Sequence, residues 1–195
     1  NVVLILLIVQ NIYIYRMKTA VADLNFELLI PYGQLETRIK ELAHEISVDF
    51  KGQNPVVAGI LTGSFLFVAD IVKNLEIPVE VTFTKLASYF GGTKSTRQIR
   101  DDFDLTIDVR GRDIILVEDI VDTGNTLHYL IDKLKVREPA SITVCTLLLK
   151  PEAIEISIEE LKYVGFEIKN EFVVGYGLDY KEQGRGLMGI YRKVN

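Results

Sequence analysis

The sequence predicts an α/β fold with a mostly parallel central sheet and helices on both faces. Three observations carry that expectation. Short, continuously apolar runs recur at VVAGIL (56–61), DIILVE (113–118) and SITVCTLLLK (141–150). Helix-length stretches alternate with them, which is how parallel strands are connected. The strands lack a polar face, as strands covered on both sides do.

The elements follow in order. Leu35, Ile39, Leu42, Ile46 and Phe50 recur at helical spacing after Pro31, marking a first amphipathic helix. VVAGIL then reads as a buried strand ending at Thr62-Gly63, and FLFVADIVKNL (65–75) is long enough for a helix. VEVTFTKL (79–86) alternates apolar and polar residues, the pattern of a half-buried strand. The polar stretch SYFGGTKSTRQIRDD (88–102) is too long for a simple turn and suits a lid or binding loop. After DIILVE come a helix over NTLHYLIDKLK (125–135) and the strand SITVCTLLLK. Ligands of such sheets bind beyond the carboxyl ends of the strands. Three strand ends carry reactive chemistry there: Leu61-Thr62-Gly63, Glu118-Asp119 and Lys150.

Composition narrows the function. Charged residues make up 25% and hydrophobic residues 48% of 195, the balance of a globular chain. A net charge of −5 without a basic run argues against nucleic acid or an anionic membrane as partner. Cys145 is the only cysteine, so no intrachain disulfide forms, and its apolar setting reads as a buried thiol in a cytoplasmic protein. Residues 1–16 are apolar but broken by Gln10 and Asn11, short of the roughly 20 residues of a spanning helix. They are read as an upstream extension before Met17, with 17–195 a single domain. His44 and His128 are expected on exposed helix faces, without a role.

The central run is the most informative. The apolar strand Ile114–Val117 delivers Glu118 and Asp119 together, and Asp122-Thr123-Gly124-Asn125-Thr126 follows where a helix begins. Gly124 lets the backbone turn tightly against a ligand. The N–H groups of Thr123 to Thr126 can wrap a phosphate at the positive end of that helix. Adjacent carboxylates instead suit sugar hydroxyls, a hard cation or proton transfer. A capped helix after a core strand would explain Asp122 or Thr123 alone, but not two acids preceding them.

VEDIVDTGNTL (117–127) resembles the ribose-phosphate and diphosphate-binding signature of the type I phosphoribosyltransferases. The resemblance runs from about residue 55 to the C-terminus and is closest to the hypoxanthine-guanine branch. GILTGSFLFVADI (59–71) is similar to its pyrophosphate loop, LASYFGGTKSTRQI (86–99) to its lid, and VGFEIKNEFVVGYGLDYKEQGRGL (164–187) to its base-binding segment. The implied fold adds a small hood built from terminal segments. The implied reaction joins a 6-oxopurine to phosphoribosyl pyrophosphate with Mg²⁺.

Residue roles follow from the same resemblance. Asp122 would be the general base, with Glu118 and Asp119 on the ribose hydroxyls directly or through Mg²⁺. Thr123, Gly124, Asn125 and Thr126 would grip the 5′-phosphate. Leu61, Thr62, Gly63, Ser88, Tyr89 and Arg185 would complete the diphosphate-sugar site. Lys150 would face the purine O6, Phe172 would stack on the ring, and Val173 would meet the base edge. Asp179 would lie by the purine and hold a second Mg²⁺. Blander readings are a solvated strand end for Lys150, ordinary core for Phe172, and a surface ion pair for Asp179 and Arg185.

The chain departs from the family at Thr62, where lysine is common, and in a lid without a clear Ser-Gly pair. The Leu61-Thr62 bond is expected to be cis. A homo-oligomer, dimer or tetramer, is expected. Rival functions are a diphosphate-sugar-sensing regulator that binds nucleic acid, or an enzyme preferring xanthine.

Overall fold

The computed structural model describes residues 17–85, 105 and 107–194. The 1–16 extension and the expected lid, Ser88 and Tyr89 included, lie outside the described residues. Two compact units are present. The larger is Thr37–Asn170, and the smaller combines the two terminal segments, among the described residues 17–36 and 171–194.

In the larger unit five strands form one all-parallel sheet. They are β3 (Val56–Leu61), β4 (Glu80–Lys85), β5 (Asp113–Val121), β6 (Ser141–Leu149) and β7 (Leu161–Glu167), ordered β4-β3-β5-β6-β7. The flanking strands β1 (Lys18–Val21), β2 (Leu24–Ile30), β8 (Val173–Val174) and β9 (Ile190–Val194) belong to the smaller unit. Helix α1 spans Tyr32–Asp49, α2 Phe65–Asn74 and α3 Asn125–Lys135. As the apolar runs require, β5 is the central strand and Ile114 to Val117 are wholly buried. Leu127, Leu130, Ile131 and Leu134 of α3 pack on Ala58, Ile60, Leu116 and Val144 of the sheet. Each such buried aliphatic side chain contributes about 1.5–3 kcal/mol.

One expectation holds, with the covered face now assigned, and one is corrected. Strand β4 does alternate, but Thr82 and Thr84 are its buried residues, while Val81 and Phe83 are 41% and 40% exposed. Alternation distinguishes two faces without saying which is covered. Here the Phe83 ring lies over Gly59 of β3, where a Cβ would come within 2.8 Å of it. Strand β5 also runs three residues past Glu118, to Val121, so the two acids lie within the strand rather than at its end. The apolar partner β6 keeps the pairing going, with Val121 opposite Leu149.

Polar contacts lock α1 to β7. Arg38 donates from Nε to Gly165 O (3.2 Å) and from Nη2 to Val164 O (2.9 Å), and pairs with Glu41 and Glu45 at 3.0 Å. Near the helix end, Tyr163 Oη donates to Asp49 Oδ2 at 2.6 Å. The stripe Ile39, Leu42 and Ile46 is buried, and Phe50 stays buried one residue past the helix. Arg38→Ala should therefore cost about 1.5–3 kcal/mol, since hydrogen bonds from a charged donor are lost together. Calorimetry should show Tm lowered by about 3–12 °C. An unchanged Tm would mean the guanidinium only decorates the surface.

The smaller unit is a four-stranded antiparallel sheet, ordered β1-β2-β9-β8. Its core is Val21, Phe26 and Val174, flanked by Leu24, Tyr180, Leu187 and Tyr191. This small sheet is built from the two terminal segments, as the resemblance implies. His44 and His128 are exposed and Cys145 is fully buried, as expected. Among the described residues no helix is long and apolar enough to cross a membrane.

Candidate active site

The larger unit gathers its chemistry at the carboxyl ends of β3, β5 and β6. On β5, Asp119 Oδ1 accepts the Ile120 N–H at 2.7 Å. Its Oδ2 lies against Gly63, just after β3, so closely that a Cβ at that position would overlap the carboxylate. The pyrophosphate loop expected at 61–63 and the acidic pair are thus in direct contact, and only glycine permits it.

Glu118 Oε2 is buried with no hydrogen-bond partner among the described residues. Burial, reinforced by the neighbouring Asp119 carboxylate, pushes the Glu118 carboxyl well above the ordinary carboxylate range. An orphaned buried oxygen of this kind calls for a donor or a cation. The described residues contain no cluster of three metal-ligating side chains. That donor set fits Mg²⁺, which takes one or two carboxylates and completes its shell with substrate and water oxygens.

The chain then turns into α3. Gly124 has φ +85°, and a Cβ there would come within 2.5 Å of Ile156 O. Both the conformation and the close approach require glycine. Gly124 has no side chain to cap the helix, and apart from a long contact of Asn125 N with Thr123 Oγ1 at 3.4 Å its first N–H groups are disposed toward an incoming anion. Segment 155–156 backs this loop: Thr123 O accepts from Glu155 N (3.0 Å) and Ile156 N (3.2 Å). Asn125 Nδ2 donates to Thr123 Oγ1 at 2.9 Å and to Glu155 Oε2 at 3.0 Å.

Asp122 and Lys150 meet although 28 residues separate them, Nζ to Oδ2 at 3.1 Å. The register explains it: Val121 of β5 lies opposite Leu149 of β6, so the next residue of each strand is side by side. Only 9% of the Lys150 side chain is exposed, against 51% of Asp122. Lys150 is therefore no solvated strand end. A buried ammonium needs such a partner. In the neighbouring loop the Leu61-Thr62 bond is cis, as expected, and Thr62 is exposed. Ser64 Oγ closes that turn on Ile60 O at 2.6 Å.

Residues 31–181 match the phosphoribosyl transferase domain family. The chain belongs to this family. It is 43% identical over 170 residues to the hypoxanthine phosphoribosyltransferase of Salmonella typhimurium, covering 86% of this chain and 95% of that one. It is 45% identical over 161 residues to the hypoxanthine-guanine phosphoribosyltransferase of Streptococcus pneumoniae, covering 83% and 89%. Among solved structures, a Staphylococcus aureus hypoxanthine phosphoribosyltransferase superposes with a TM-score of 0.81 at 38% identity, over 86% and 91% of the two chains.

The remaining family positions lie in the smaller unit. Phe172 is 45% exposed, with its ring edge-on to Tyr180 at 5.7 Å and tilted against Phe26 at 6.2 Å. Val173 is buried and pairs with Arg192 across β8–β9. Arg185 Nη2 reaches Asp179 Oδ1 at 2.7 Å and Glu182 Oε2 at 3.1 Å, while Nη1 donates to Gly177 O. Asp179 Oδ2 accepts from Glu182 N at 2.8 Å. Both Asp179 oxygens thus already have partners, and a cation there would have to share one. Reading the residues alone missed Glu155, whose only local signal is a carboxylate five residues after Lys150.

Proposed function

We propose that this enzyme transfers the 5-phosphoribosyl group from phosphoribosyl pyrophosphate to a 6-oxopurine, hypoxanthine or guanine. The products are IMP or GMP and pyrophosphate, the chemistry of purine salvage. The observation that carries the reading is the Asp122–Lys150 pair, a proton acceptor and a buried cation 3.1 Å apart at adjoining strand ends. A 6-oxopurine offers the complement, a ring N–H for the carboxylate and O6 for the ammonium.

Breaking the C1–O bond builds positive charge on the ribose, as in other glycosyl transfers. Glu118 and Asp119 supply oxygens for the ribose hydroxyls, and negative charge on this pair favours the developing cation once a bound cation or donor offsets the burial of Glu118. Thr123 to Thr126 anchor the 5′-phosphate at the start of α3. Asp122 accepts the purine proton, a step typically worth 10²–10⁴-fold. Glu118 and Asp119 would hold one Mg²⁺ and Asp179, in the smaller unit, a second; bound Mg²⁺ would neutralise charge on the pyrophosphate leaving group. Arg185 would add its charge to the pyrophosphate. The exposed Phe172 face and the Val173 backbone suit a purine ring and its edge. The enzyme is read as a cytoplasmic homo-oligomer, dimer or tetramer. Incubation with hypoxanthine, phosphoribosyl pyrophosphate and Mg²⁺ should yield IMP and pyrophosphate in equal amounts. No IMP under those conditions would sink the reading.

Lys150 also makes a prediction about base choice. A charge-assisted hydrogen bond to O6 is worth about 1.5–3 kcal/mol. Facing the N6 amino group of adenine, the ammonium meets another donor and loses that bond. Lys150→Gln, whose amide can donate or accept, should narrow the preference for hypoxanthine over adenine, mainly by losing activity on hypoxanthine. An unchanged kcat/KM ratio in the variant would remove Lys150 as the O6 reader.

A further inference from the structure

Asn125 spends both amide hydrogens inside the protein, one on Thr123 Oγ1 (2.9 Å) and one on Glu155 Oε2 (3.0 Å). A carboxylate only accepts, so Glu155 dictates which end of the Asn125 amide faces it. The amide nitrogen must then serve as the donor to Thr123. Thr123 Oγ1 accepts that hydrogen, together with a long contact from Asn125 N at 3.4 Å. With its lone pairs engaged, the Thr123 hydroxyl has its own proton left to donate outward. The Glu155 backbone completes the brace through its N–H on Thr123 O at 3.0 Å.

We propose that Glu155 is a positioning residue that sets the hydrogen-bond polarity of the phosphate loop, making the Thr123 hydroxyl a donor to the 5′-phosphate of phosphoribosyl pyrophosphate. This rests on the phosphate-loop reading given above. Glu155 works at one remove, through Asn125, and its side chain is exposed, so its removal leaves the core intact. Without it the Asn125 amide is free to turn and present oxygen to Thr123. The hydroxyl would then donate inward and face the phosphate with lone pairs, a repulsive arrangement for an anion.

The test is KM for each substrate, with kcat, in wild type, Glu155→Ala, Glu155→Gln, Thr123→Val and the Glu155→Ala/Thr123→Val double variant. Glu155→Ala should raise KM for phosphoribosyl pyrophosphate about fivefold or more, with KM for hypoxanthine within about twofold. Glu155→Gln offers Asn125 either an accepting oxygen or a donating N–H, so it should restore the sugar KM only in part, to a value between wild type and Glu155→Ala. In the Thr123→Val background, adding Glu155→Ala should change that KM by less than about twofold, because the hydroxyl it acts through is gone. Equal rises in both KM values, no rise, or full additivity in the double variant would each overturn the inference. A Thr123→Val variant with unaltered KM for phosphoribosyl pyrophosphate overturns the phosphate-loop reading itself. A Thr123→Val effect without a Glu155→Ala effect overturns only the role of Glu155.

Discussion

Asp122→Asn is expected to lower kcat by about 10²-fold or more while leaving the fold and the affinity for phosphoribosyl pyrophosphate in place. The amide keeps the shape of the carboxylate, and its oxygen can still accept from the Lys150 ammonium. It cannot take a proton from the purine, so the loss falls on the chemical step. Half of the Asp122 side chain is exposed, so the isosteric change should be tolerated by the fold. Circular dichroism and binding of the diphosphate sugar should match wild type, with the deficit confined to turnover. A variant within twofold of wild type in kcat would take Asp122 out of the chemistry.

Gly63→Ala should be nearly as damaging, for a steric reason. A methyl group at 63 would occupy the place of the Asp119 carboxylate. The backbone there does not adopt a positive φ, so alanine carries no conformational penalty of its own. Asp119 must swing away, giving up its bond to Ile120 N and its position against the 61–63 loop. A displacement of about 1 Å in a positioning group can cost about 10²-fold. We therefore expect kcat/KM for phosphoribosyl pyrophosphate to fall by about that factor in a folded protein. Activity within threefold of wild type would show that the contact between the loop and the acid is dispensable.

The elements that repeat a local period were legible in the residues. Strand β6 ends at Leu149, one residue short of the expected 141–150, and α3 spans the expected 125–135. Local periodicity failed where the deciding partner is distant. Val81 and Phe83 of β4 are exposed because the covered face is chosen by neighbours, among them the bare backbone of Gly59. The acids of β5 look like a strand end because they interrupt an apolar run, yet pairing with β6 carries the strand to Val121. The site shows the same division. Its phosphate loop is one contiguous segment and declares itself through spacing and Gly124. The Asp122–Lys150 contact arises from parallel register, and the Asn125–Glu155 bond spans 30 residues, so neither is encoded in local spacing.

One measurement bears most directly on the function: kcat/KM for hypoxanthine, guanine and adenine, each with phosphoribosyl pyrophosphate and Mg²⁺. A buried cation that reads O6 penalises a base offering a donor by more than one methylene could, because the unpaired polar groups are costly. Hypoxanthine and guanine should exceed adenine by at least about 10²-fold. Turnover of adenine within tenfold of hypoxanthine would contradict the assignment of a 6-oxopurine substrate.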